Sequence, residues 1–251
     1  MSPDPERCTD PGPGGAGTAG YRDAADPVPD ATAVEVSTPS ADARPGRGRR
    51  SLPSQVDPTT CGIAALAAVT ARAGVHPAYL DAPRVRQAQT QRSLHALAAR
   101  TGAPWPRAWG TSPWALARLA GRATGHRYGI LPWGPSALVA LDVARARGED
   151  SFLYVGGGSA TSGGTGEGHG PVRRTLEGAA RALDRWGIDI FPRHVVALLG
   201  DDGPAGSCTV FEPSSGHVRE VPCAVLEGPW PLPGREFGHW ARPLLAVTPV
   251  T

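Results

Sequence analysis

Four residues that can cooperate in covalent catalysis occur in the order Gln55, Cys61, His194 and Glu212. Cys61 opens the segment Cys61-Gly-Ile-Ala-Ala-Leu-Ala-Ala-Val69, which is apolar almost throughout. The partial positive charge of a helix N-terminus stabilises a thiolate placed in its first turn. Gln55 lies six residues upstream on a proline-containing approach, near enough for its side-chain amide to face that thiol. His194 begins the apolar stretch Val195-Val-Ala-Leu-Leu199, and Glu212 follows eighteen residues after it. A hairpin turning around Asp201–Ser207 would bring Glu212 beside His194, where a carboxylate orients an imidazole. Such a set suits acyl chemistry: thiolate attack on a carbonyl, proton transfer by the imidazole, and an oxyanion held by amide donors.

Those side chains need elements to hold them. Thr60 is placed to cap the Cys61 helix and Gly74 to end it, and a helix that is apolar on every side belongs at the centre of a core. Ser93–Arg100 reads as a short second helix stopped at Thr101-Gly102. Ser112-Pro113 supplies an N-cap with proline at the first helical position, ending at Gly121, and Pro135 to Arg147 repeats the device. Ser151–Val155 reads as a buried strand. Residues 156–170 hold eight glycines and read as a mobile loop, a lid or insertion. Pro171–Trp186 reads as an amphipathic helix. Strand signals follow at His194–Leu199, Cys208–Phe211, His217–Val221 and Leu244–Val250, with turns at Gly200–Gly203 and Pro213–Gly216. Helices first and an antiparallel meander second predict an α+β fold.

The segment Gln55-Val-Asp-Pro-Thr-Thr-Cys61-Gly62-Ile-Ala-Ala-Leu66 resembles the nucleophile motif of papain-like cysteine peptidases, nearest the C39 and C39-like group. Arg193-His194-Val-Val-Ala-Leu is similar to the catalytic-histidine strand of that group. Phe211-Glu212-Pro213-Ser-Ser-Gly216 is similar to its carboxylate turn, with Glu in place of the usual Asp, one methylene longer. The resemblance implies a papain-like fold in which a buried N-terminal helix carries the cysteine against an antiparallel sheet. It implies Cys61 as nucleophile, His194 as general base and acid, Glu212 as orienting carboxylate and Gln55 as oxyanion stabiliser. The implied reaction is hydrolysis of an amide bond in a peptide or protein substrate, with no cofactor and no metal. The region 75–190 matches no motif of the group.

Composition narrows the alternatives. All 25 basic residues are arginine, which excludes a Schiff-base lysine and the lysine of a P-loop. The net charge of +2 is far from the basicity of a typical nucleic-acid binder, so no nucleic-acid partner is expected. No apolar run is long enough to span a membrane. Residues 1–50 hold 8 Pro and 7 Gly and no Leu, Ile, Phe or Trp, and are expected to be a disordered tail ahead of a domain at 51–251. The Gly12–Gly17 segment fits a GxGxxG pattern without the strand and helix that would make it a dinucleotide site. No secretory signal is apparent, Arg49-Arg50 lacks the apolar stretch of a twin-arginine signal, and a cytoplasmic setting with four free thiols is the expectation.

Other readings remain beside these. Free cysteines are often simply buried, so Cys61 alone fits packing as well as catalysis, and Cys208 and Cys223 read as packing residues within strands. His217 is the principal rival base, with His169 and His239 behind it. A metal set of Cys61, His194, Cys208 and His217 matches no ligand spacing. The same acyl-enzyme could be resolved by an amine, making the protein an acyltransferase, or the cleft could bind peptide without catalysis.

Overall fold

A computed structural model describes residues 45–105, 110–158, 192–200, 203–228 and 231–250. The apolar segment after Thr60 forms helix α1 (Cys61–Arg72), buried at every residue from Cys61 to Val69. It packs under α2 (Arg84–Ala98) and α3 (Pro113–Thr124), the latter capped by the Ser112 hydroxyl, which accepts from the Ala115 amide at 3.2 Å. The helices lie on a six-stranded antiparallel sheet: β1 (Arg127–Pro132), β2 (Ser151–Gly158), β3 (His194–Leu199), β4 (Ser207–Glu212), β5 (His217–Pro222) and β6 (Trp240–Val250). The spatial order is β1-β6-β2-β3-β4-β5, so β2 to β5 form a meander and β6 returns to insert between β1 and β2. The expected α+β class, helices with an antiparallel sheet, is what the chain adopts.

Both faces of the sheet are covered, which is why the central strands are continuous apolar runs rather than alternating ones. Phe152, Tyr154, Val195, Ala197 and Phe211 meet α1 to α3. Leu153, Val155, Val196, Leu198 and Val210 face helix α4 (Pro135–Ala146), the single turn α5 (Ala224–Glu227) and Phe237. A buried ion pair fixes the far end of α1: Arg72 donates through Nε and Nη2 to Asp150 at 3.0 and 3.2 Å, and Asp150 also accepts from the Gly200 amide at 2.8 Å. Removing one partner of such a pair costs about 3–5 kcal/mol, because the other charge is left buried.

Several boundaries differ from the expectation. α2 begins at Arg84, not Ser93; with only Gln91 and Ala98 buried, its first half has too few apolar residues to show a period. β1 was not expected, since Gly129 and Pro132 break up its pattern. Gly156–Gly158 continue strand β2 instead of opening a loop; the remainder of that glycine segment and the Pro171–Trp186 helix lie outside the described residues. So do residues 1–44. Residues 45–50 attach to the fold: the Arg50 carbonyl accepts from the Val218 amide at 2.9 Å, and Arg49 pairs with Asp81 at 2.8 Å.

The expectation of four free thiols is corrected. Cys208 and Cys223 form a disulfide, with Cα atoms 5.2 Å apart. The β4–β5 register sets Cys208 against Val221, so Cys223 emerges from the hairpin next to it as the residue before α5, not within a strand. Disulfides persist in oxidising compartments, and this one does not favour the cytoplasmic expectation. Among the described residues no helix is long and apolar enough to cross a membrane.

Candidate active site

Cys61 is the first residue of α1 and His194 the first residue of β3. His194 shares the strand parity of Val196 and Leu198, which face away from α1. It meets the cysteine because it sits at the strand end, which the Arg193 amide fixes by donating to the Val155 carbonyl at 2.9 Å. The Cys61 thiol lies beside the imidazole, close enough to raise its pKa. Its Nε2 lies 2.8 Å from Glu212 Oε1, which leaves Nδ1 as the ring nitrogen for sulfur. Cys61, His194 and Glu212 are 3%, 5% and 3% exposed, so the three form a polar chain from which water is largely excluded.

Glu212 is held as firmly as it holds. Its Oε1 also accepts from the Ser214 amide and its Oε2 from the Ser215 amide, each at 2.8 Å. The β4–β5 turn thus folds back onto the carboxylate that ends β4. Burial disfavours the Glu212 charge, but the bonds from His194, Ser215 and Ser214 outweigh it and bring its pKa down to about 2. Burial likewise disfavours a charged His194. The hydrogen bonds and charges of Cys61 and Glu212 outweigh that and raise it to about 9. The arrangement stabilises an imidazolium, with the Glu212 carboxylate bonded to it and the Cys61 sulfur beside it.

The first turn of α1 keeps its amides available. The expected Thr60 cap does not form: its hydroxyl turns back to Asp57, donating to the carbonyl at 2.9 Å, and makes no bond to the helix. Gly62 brings α1 against the segment entering α3. A Cβ there would stand 2.8 Å from Thr111 Cβ and 3.4 Å from Val195 Cγ2. Tyr154 lies beneath, its hydroxyl donating to the Thr111 carbonyl at 2.8 Å; burial and then the Cys61 charge push its pKa well above the usual value.

Gln55 sits on a strap pinned from both sides. Its amide donates to the Pro213 carbonyl at 2.7 Å, and its Oε1 accepts from the Ser214 hydroxyl at 3.4 Å, tying it to the turn that binds Glu212. From the other side, fully buried Gln91 accepts from the Val56 amide at 3.1 Å and donates to the Ser54 carbonyl at 2.9 Å and the Tyr79 hydroxyl at 3.0 Å. Arg84 adds a fork, Nη1 to the Ser54 carbonyl and Nη2 to the Gln55 carbonyl, both 2.6 Å. The four expected residues therefore fall in one region, with His194, Glu212, Ser214 and Gln55 linked by hydrogen bonds and Cys61 beside the imidazole.

Sequence reasoning missed Arg84, Gln91 and Gly238. Gly238 has φ +65°, and a Cβ on it would fall 2.6 Å from His194 Cδ2 and 2.7 Å from Nε2, so its bare backbone packs against the ring. No sequence signal marks it among 33 glycines. Ser214 and Ser215 were visible as small residues after Glu212. Of the rivals, His217 is exposed and Cys208 is bound in the disulfide, while His169 lies outside the described residues. Among the described residues no cluster of His, Cys, Asp and Glu is arranged to hold a metal ion. No family model matches the chain, and no curated protein matches it.

Proposed function

We propose that this chain is a papain-like cysteine peptidase of the C39-like kind, hydrolysing an amide bond in a peptide or protein. The observation that carries this reading is the buried His194–Glu212 hydrogen bond set beside the Cys61 thiol at the start of α1. The Cys61 sulfur attacks the scissile carbonyl carbon. The carbonyl electron pair moves to oxygen, where the Gln55 side-chain amide and the Cys61 backbone N–H stabilise it. As the C–N bond breaks, the His194 imidazolium gives its proton to the leaving amine, leaving a thioester on Cys61. His194 then takes a proton from water, whose oxygen attacks the thioester, and collapse releases the acid and restores the thiolate–imidazolium pair. Glu212 stays ionised throughout and orients the ring.

The test is a mixed peptide library followed by mass spectrometry, with Cys61→Ala and His194→Ala as controls. New amino and carboxyl termini that disappear in both variants support the reading. Cleavage that survives Cys61→Ala, or no cleavage at all by the parent chain, contradicts it.

A further inference from the structure

The modest net charge conceals a sharp separation. Between Ala82 and Leu141 there are eight arginines and no aspartate or glutamate, so with a whole-chain charge of +2 the remainder carries −6. Arg84, Arg86, Arg92 and Arg100 on or just beyond α2, and Arg118 and Arg122 on α3, are all exposed. Among the described residues no carboxylate pairs with Arg86, Arg92, Arg118 or Arg122. Solvated helix faces ordinarily intersperse opposite charges that pair at i,i+4, whereas Arg118 and Arg122 at that spacing repel. Helix stability is therefore not what the pattern serves.

This face begins at the candidate site. Arg84 is the first residue of α2, and its guanidinium grips the Ser54 and Gln55 carbonyls. From there to Arg100 is about 24 Å at the helical rise of about 1.5 Å per residue. An extended peptide covers that distance in about seven or eight residues. Beyond Arg84, which turns to the strap, Arg86 and Arg92 lie on the broad solvent side of α2 with Arg100 just past its end, and guanidinium groups spread over such a face recognise carboxylates, by charge and by paired N–H donors. A single-stranded nucleic acid is also polyanionic, but on α2 and α3 the only aromatic rings are His95 and Trp114, and Trp114 is already packed edge-on against Trp105 with its Nε1 donating to the Ala103 carbonyl.

We propose that the α2–α3 face receives an acidic stretch of the substrate, with two or more Asp or Glu within about eight residues of the scissile bond. This rests on the peptidase reading for the chemistry, but the binding it predicts needs no catalysis. The experiment is fluorescence anisotropy of the full chain with a labelled ten-residue peptide carrying four Glu, against the same peptide with Gln, at low and moderate salt. The Glu peptide is expected to bind at least tenfold more tightly, with the advantage shrinking as salt rises. Arg86→Glu with Arg92→Glu is expected to abolish the advantage while leaving the melting temperature and turnover of a neutral peptide unchanged. Arg118→Glu provides an independent second variant.

Equal affinity for the two peptides overturns the proposal, as does an advantage that survives charge reversal. Tighter binding of a single-stranded oligonucleotide than of the Glu peptide overturns it in favour of nucleic acid. Preferential binding of the Glu peptide without cleavage of any peptide sustains this inference and removes the peptidase reading alone.

Discussion

At the scale of residues, the account depends on charges held where burial opposes them. His194, raised to about 9, stabilises the fold fully below its ordinary value near 6.5, and that contribution is lost as pH rises through 9. Glu212, lowered to about 2, contributes above its ordinary value near 4.5 and loses it as pH falls towards 2. Peptidase activity is expected to fall on the alkaline side near pH 9, as His194 loses the proton that the leaving amine needs. Glu212→Gln should move that limb toward neutrality, measured as the pH profile of kcat/KM; an unmoved limb assigns the titration elsewhere. Gly238→Ala would force a methyl group into the imidazole at a positive φ, and overpacking of this sort costs about 1–3 kcal/mol. A lower kcat with a displaced His194 NMR titration is expected, and unchanged values for both would deny the contact a role. Cys61, His194 and Glu212 were legible because their types and order carry chemistry. The longer Glu was legible too, but not the two turn amides that hold it in place.

At the scale of elements, legibility followed hydrophobic pattern. The apolar α1 and the runs of β3 and β4 were readable because burial on all sides leaves no polar positions to confuse them. Only the second half of α2 carries a helical signal, since its burial rests on one glutamine and one alanine, and its polar side chains grip the Gln55 strap. That role is testable. Gln91→Leu leaves the Val56 amide without its partner and the Ser54 carbonyl with Arg84 alone, a loss of about 1–3 kcal/mol for the stranded amide. Loosening Gln55 is expected to lower kcat by about tenfold to a hundredfold, approaching the loss of an oxyanion donor, with KM little changed. Alkylation of Cys61 should keep its parent rate, because the thiol and imidazole are held by other elements. A variant whose kcat is unchanged would show that the strap needs no such clamp.

At the scale of the whole molecule, the sheet gathers residues far apart in the chain, and pairing across such distances leaves little mark on local sequence. The Cys208–Cys223 disulfide is the plainest case: no motif announces it, and only the β4–β5 register makes the partners neighbours. A bridge closing a loop of 15 residues is worth about 3 kcal/mol. Reduction is therefore expected to lower the melting temperature by several degrees, and Cys208→Ser should do the same without reductant. The bridge ties the start of β4, whereas Glu212 ends it, so activity well below the transition should persist.

The central claim is that His194 and Cys61 act as a charged pair, and the pH dependence of iodoacetamide labelling tests it most directly. A model-peptide thiol slows nearly a hundredfold between pH 8 and pH 6, as its thiolate fraction falls around a pKa near 8.5. With the His194 imidazolium beside it, Cys61 should label at pH 6 within a few-fold of its rate at pH 8, and using the ratio removes any effect of burial on access. His194→Ala should restore the steep dependence. A Cys61 rate that falls as steeply as the model thiol in the parent chain would contradict the pair and the peptidase mechanism built on it.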